Sequence, residues 1–183
     1  RERVGGQPGE VAATMKYDAK KISEMTETNL RLAKMRLAEL PICCGREPSI
    51  AGLHGWVFEQ TLQFCIREEL AEHGLSPDVE EQVGIGGRAK ADFRLAHVLI
   101  EVKTRGLFGM ADVQKYGKYR EQAEGRGYRY LFVTASETHE PYRRGIIEAL
   151  GQSNVFILAQ PGEWERLVTT IVQELKAKTG YCP

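Results

Sequence analysis

The stretch His97-Val98-Leu99-Ile100-Glu101-Val102-Lys103 constrains this chain more than any other. Its alternation is that of a strand. Val98, Ile100 and Val102 project to one face, ready for burial under a helix, while Leu99, Glu101 and Lys103 project to the other. A carboxylate and an ammonium two residues apart therefore stand side by side. Ala91 to Leu95 reads as a preceding strand, with Asp92 and Arg94 on one face and Phe93 and Leu95 on the opposite one. A hairpin turning at Ala96–His97 makes Asp92 the cross-strand neighbour of Glu101, with Cβ atoms about 4.5–5.5 Å apart. Two carboxylates so placed repel unless a cation lies between them. Ala-His is poor chemistry for a two-residue primed turn, so a longer loop about the same centre would serve the pairing equally.

The rest of the chain punctuates into helices and strands. Lys16 to Leu40 is expected as a helix with Ile22, Met25, Ala33, Leu37 and Leu40 on one face and Pro41 as its stop. A second helix runs from Ser49, its N-cap, to His73, with Gly74 beyond it. Its apolar residues, Trp56 and Phe64 among them, reach round most of the circumference, so it should be covered on more than one side. Val79 to Val83 is a strand, and the glycines of Gly84 to Ala89 make the turn into the next. After Lys103 come a helix over Met110–Glu124, a strand over Tyr128–Thr134, a helix over Glu140–Leu150, a strand over Asn154–Leu158 and a helix over Glu163–Lys178. Three meandering strands followed by βα alternation predict an α/β fold in three layers, α/β/α, around a mixed sheet. With 183 residues the chain has room for one such domain, over 16–183, behind a flexible tail over 1–15.

Composition excludes some classes. Hydrophobic content of 42% and charged content of 27% are those of a globular chain. No apolar run approaches the roughly 18–20 residues that span a bilayer, and the first ten residues carry no signal-like apolar stretch, so a cytoplasmic protein without a membrane partner is expected. Cys43, Cys44, Cys65 and Cys182 lack zinc spacing and read as reduced thiols, Cys65 as plain core. Gly84-Ile85-Gly86-Gly87-Arg88-Ala89 fits a dinucleotide fingerprint in letters only, since a strand rather than a helix follows it. The net charge of zero says little, but its distribution is uneven. Ile50 to Gln82 holds seven acids and one basic residue, Arg67, whereas Arg88 to Tyr130 holds ten basic residues and five acids. A local basic field suits a polyanion, and a solvated helix face explains Lys115, Lys118 and Arg120 about as well.

The hairpin's groups match the needs of phosphodiester hydrolysis. Hard oxygen ligands, Asp92 and Glu101 with the Val102 carbonyl between, would hold Mg²⁺ or Mn²⁺. Lys103 would position or deprotonate water or stabilise the transition state. Glu59 adds to this, as a carboxylate in the middle of an apolar helix.

Ala91-Asp92, eight residues, then Glu101-Val102-Lys103 resembles the split motif of the PD-(D/E)XK superfamily, which includes restriction endonucleases, RecB-like exonucleases and Holliday-junction resolvases. Ala91 stands where the motif usually has proline. Gly55-Trp56-Val57-Phe58-Glu59 resembles the G-x-x-x-E helix of these families, which brings Glu59 to the metal. Gln114 stands where the RecB-like branch places a glutamine, although its tyrosines, Tyr116 and Tyr119, are two and five positions on rather than four. The iron–sulfur variant of that branch is not matched, because only Cys182 lies near the C-terminal end. The resemblance implies a restriction-endonuclease-like fold with an αβββαβ core over 49–134, a C-terminal α-β-α and an extra N-terminal helix over 16–40. It also implies Mg²⁺-dependent cleavage of DNA, with RNA and a homodimer left open. Catalysis falls to Asp92, Glu101, Lys103, Glu59 and Gln114, and phosphate contacts to Arg105, Lys115, Lys118 and Arg88. The competing reading is a catalytically silent nucleic-acid-binding or protein-interaction module on the same fold.

Overall fold

A computed structural model describes residues 15–39 and 50–179. Helix α1 (Ala19–Glu39) starts after Asp18, whose carboxylate accepts the Lys21 N–H at 2.7 Å and caps the first turn. This places its start three residues after the expected Lys16, and its end one residue before Leu40, which lies outside the described residues together with Pro41 and Ser49. Helix α2 (Ile50–Glu72) ends at Gly74, whose φ of 70° is the left-handed conformation a helix terminus favours. Strand β1 (Val79–Gly86) and strand β2 (Ala89–Leu95) run further than the sequence suggested, joined by a tight turn at Gly87-Arg88 with Gly87 at φ 56°. Strand β3 (Val98–Lys103), α3 (Met110–Glu124), β4 (Arg129–Thr134), α4 (Glu140–Leu150), β5 (Val155–Ile157) and α5 (Glu163–Thr179) complete the chain.

The five strands lie in sequence order in one mixed sheet. The pairs β1–β2 and β2–β3 are antiparallel, and β3–β4 and β4–β5 are parallel. Both parallel crossovers lay their helices, α3 and α4, on one face, where Val113, Tyr116, Ile146 and Leu150 close over Leu99, Tyr130 and Phe132. The other face receives α1, α2 and α5, whose Ile22, Phe58, Leu62, Ile66 and Leu167 cover Phe93, Val98, Ile100 and Val102. The alternation on β3 is therefore as its sequence dictates, and the layers are α/β/α.

Helix α2 is buried along Val57, Phe58, Leu62, Cys65, Ile66 and Leu70, but Trp56 and Phe64 are exposed, so its apolar girdle is only partly covered. Polar groups bind its edges to its neighbours. Buried Glu69 accepts the Tyr17 N–H at 2.7 Å and the Trp164 Nε1–H at 3.4 Å, tying α2 to the start of α1 and to α5. Cys65 is buried core, as expected, and burial pushes its thiol up to about 12. Cys43, Cys44 and Cys182 lie outside the described residues. Among the described residues, no helix is long and apolar enough to cross a membrane.

Candidate active site

The β2–β3 hairpin turns on two residues, Ala96 and His97, and pairs Phe93 with Ile100, Arg94 with Leu99 and Leu95 with Val98. That is the register expected from the sequence. The turn is made with Ala96 at φ 52°, a left-handed conformation that costs an L-residue energy. Pairing stops after Phe93. One step on, Asp92 does not continue the ladder, and its Oδ2 instead accepts the Val102 N–H at 2.7 Å. On the neighbouring strand Gln82, flanked by the Glu81–Phe93 and Val83–Ala91 pairs, has φ 52°. Burial changes face here, since Ala91 packs with the α3–α4 side and Phe93 with the α1–α2–α5 side. The distortion sits at Asp92 and turns its carboxylate to the end of β3.

Three of the predicted residues meet there. Lys103 Nζ lies 2.5 Å from Glu101 Oε1 and 4.0 Å from Asp92 Oδ2, so the ammonium bridges the two carboxylates. Glu101 is buried, and its second oxygen, Oε2, has no hydrogen-bond partner among the described residues. Burial, then repulsion from Asp92, pushes its carboxyl up to about 7 against the pull of Lys103. Burial draws Lys103 down, but Glu101, Tyr116 and Asp92 outweigh it and hold the ammonium above its ordinary range.

Glu59 is half-buried, and burial followed by the charges of Asp92 and Glu81 raises it to about 7, with Lys103 opposing and Glu101 adding. Its field is thus coupled to all three hairpin groups. A Cβ built on Gly55, one turn earlier, would meet nothing within 4 Å. The space beside Glu59 is open rather than filled by a strand.

The Val102 carbonyl faces the same way as Asp92. The carbonyls of His97 and Lys103 accept from β4, at Arg129 and Ala135, and strand alternation turns that of Val102 to the opposite edge.

Helix α3 contributes differently from expectation. Tyr116 is buried beneath Lys103, whose Nζ is 5.6 Å from the ring centre. Gln114 is exposed and lies about 160° round the helix from Tyr116, so it is not brought to the cluster. Lys115 is exposed, 4.8 Å over the Tyr116 ring and 5.4 Å over that of Tyr119, and its charge reaches Glu101. Lys118 is exposed on α3, Arg88 is exposed at the far β1–β2 turn, and Arg105 is exposed just beyond β3. A cleft of about 270 Å³ opens over Lys103, lined by His54, Arg105, Phe108, Asp112 and Tyr116.

Sequence reasoning weighed Tyr116 only as an imperfect motif match and gave no site role to Tyr130, Glu81 or Phe108. Tyr116 follows Val113 by three residues, and both are buried, so the helical period alone could have found it. Tyr130 pairs with Leu99 on the face of Glu101, and its hydroxyl is buried without a partner among the described residues.

Among the described residues, no three or more His, Cys, Asp or Glu are gathered into a metal-holding group. The Lys103 ammonium stands between Asp92 and Glu101 and offsets one of their two negative charges. The chemistry of the cluster still fits a hard cation. Buried Glu101 Oε2 is an unused acceptor, Asp92 has a second oxygen, the Val102 carbonyl shares their edge, and Glu59 faces the same charges. Compared with known proteins, the chain matches no family model, no curated protein and no solved structure.

Proposed function

We propose that this chain is a metal-dependent nuclease of the PD-(D/E)XK type, with a restriction-endonuclease-like fold, hydrolysing phosphodiester bonds of DNA inside the cell. One observation carries the reading: two strands bring Asp92, Glu101 and Lys103 together around an unpartnered, buried carboxylate oxygen. A buried acceptor without a partner costs about 1–3 kcal/mol, a cost that a bound cation would remove.

In this reading Asp92, Glu101, the Val102 carbonyl and Glu59 would hold Mg²⁺ or Mn²⁺. Bound there, the cation supplies Lewis-acid polarisation of the phosphate and a lowered pKa for water. Lys103, kept charged by its neighbours, donates to a phosphate oxygen and stabilises the charge that develops on it. Tyr116 packs under Lys103 and fixes its position. Arg105 lines the cleft and Lys115 lies within reach of Glu101's field, and these two are the phosphate contacts, whereas Lys118 lies about 160° round α3 from Tyr116.

Divalent-dependent nicking of supercoiled plasmid tests the reading. Wild type should nick in Mg²⁺ or Mn²⁺ and not in chelator, and Glu101→Gln should be inactive while folded. A folded Glu101→Gln protein that nicks at the wild-type rate overturns it. The Lys103–Glu101 contact at 2.5 Å supports a second reading, a nucleic-acid-binding module in which lysine has replaced the cation for good. Salt-sensitive DNA binding with no cleavage in any divalent ion would favour that module.

A further inference from the structure

A second, larger cavity adjoins the cleft. It measures about 530 Å³, within the roughly 300–1,000 Å³ of small-ligand sites, and shares His54 and Thr104 with the cleft over Lys103. Its walls are Lys20, Ser23, Thr26 and Glu27 of α1 on one side and Ser136, beyond β4, on another, over a floor of Ile22, Phe58 and Leu158; Thr26 and Ser136 donate to the Ile22 and Thr104 carbonyls, which leaves their oxygens as acceptors. An apolar floor, walls that carry hydroxyls with one lysine and one glutamate, and a histidine at the threshold suit a flat heterocycle with polar edges. At the rim of the cleft itself, Phe108 is 73% exposed and presents an open aromatic face in the same cleft as Lys103 and Tyr116. Its N–H bonds Asp112 Oδ2 at 3.4 Å, so the residue sits at the start of α3 beside Tyr116 and the Lys115 charge.

We propose that the site takes an unpaired nucleic-acid strand, with one base stacked on Phe108 and the next lodged in the cavity beyond His54. Bases in a duplex already stack and pair, and they offer a protein their edges and backbone only. An exposed ring and an adjoining base-sized cavity are of use to a strand whose bases are free, and aromatic stacking is the sequence-tolerant means of holding one. The cations on the cleft side, Arg105 and Lys115, serve the phosphates between. The inference deepens the nuclease reading and rests on it for the class of ligand.

The test is fluorescence anisotropy of a labelled mixed-sequence 20-mer, single-stranded and as a duplex, titrated with the whole chain in chelator at fixed salt. The single strand should bind at least about tenfold more tightly than the duplex. Phe108→Ala should weaken single-strand binding by about 5- to 150-fold, the worth of one stacked base, and leave duplex binding within about twofold. Ser23→Trp, on the exposed surface of α1, should fill the cavity and weaken single-strand binding as well. Duplex binding as tight as single-strand binding, or both variants indistinguishable from wild type, overturns the proposal. Because no cleavage occurs in chelator, the two readings part cleanly. Single-strand binding that both variants weaken, in a protein that cuts in no divalent ion, upholds this inference and sinks the nuclease. Duplex nicking by a protein whose binding ignores both variants does the reverse.

Discussion

Glu59→Gln keeps the size of the side chain and removes one negative charge from beside Asp92. Burial, then Asp92 and Glu81, holds the Glu59 carboxyl at about 7 against an ordinary 4.5. A folded-state value above the unfolded one means that the native protein binds this proton more tightly. The stability it contributes is complete below pH 4.5 and is lost as the pH rises through about 7. Taken whole, that displacement corresponds to about 3 kcal/mol. Glu59 is only half-buried, so solvent screening reduces the figure to about 1–2 kcal/mol. At pH 8 in chelator, Glu59→Gln should therefore melt about 2–8 °C above wild type, at about 2–4 °C per kcal/mol for a chain of this length. Below pH 4.5 the two should coincide, and in millimolar Mg²⁺ the order should reverse, because wild type gains ligand-linked stability that the variant largely lacks. Scanning calorimetry under the three conditions reads all of this. A variant that melts at or below wild type at pH 8 in chelator refutes the reasoning, since Glu59 would then be compensated by a partner or free in bulk water.

Lys103→Ala should lower cleavage by about 10²–10³-fold while Mg²⁺ binding, followed by calorimetric titration, is kept or strengthened, because the ammonium competes for the same carboxylates. Loss of Mg²⁺ affinity in that variant would mean that Lys103 organises the ligands rather than competing with the cation. Ala96→Gly should stabilise the protein by about 0.5–1 kcal/mol in urea melts, since Ala96 is exposed and left-handed at the hairpin turn; a destabilised variant would place the strain elsewhere. Glu174 is pushed up by burial but more strongly held down by Arg129 and then His97, so its carboxyl lies below the ordinary range. Its contribution is present above the unfolded value of 4.5 and fades as the pH falls through the folded one, so Glu174→Gln should cost about 1 kcal/mol at pH 7 and little at pH 3.

Much of this geometry was legible before any coordinates. The period-two pattern of Val98 to Lys103 and the position of the turn settle which residues face one another, because slipping by one residue would put Val98, Ile100 and Val102 on the wrong face. The helix Met110–Glu124 and the mixed sheet follow from the same kind of pattern. The distortion at Asp92 was not legible. Gln82 carries no glycine-like signal, yet it adopts a positive φ in mid-strand, and local sequence does not report a strain that tertiary packing sustains. Gln114 was placed at the site from a motif, whereas the burial of Val113 and Tyr116 fixes which side of α3 meets the sheet. The exposure of Trp56 and Phe64 escaped notice for a related reason, since hydropathy alone does not reveal which arc of an apolar helix receives a partner.

The charge balance of the cluster follows from these details. From the sequence, Asp92 and Glu101 are opposed carboxylates, and deleting either should relieve repulsion. In the folded chain Glu101 is paired with Lys103 at 2.5 Å, and Asp92 has the Val102 N–H at 2.7 Å with Lys103 further off at 4.0 Å. Removing Glu101 would leave a largely buried ammonium with only the more distant Asp92 for compensation, which costs stability rather than adding it. The repulsion therefore falls chiefly on Glu59, for which no ion pair or hydrogen bond is among those described and whose carboxyl is held high by burial and by two neighbouring acids. A second positive charge, hard and compact, is what this arrangement of three carboxylates and one lysine would gain most from binding. Of the three acids, Glu59 is the one whose metal-free behaviour should change most when the cation arrives.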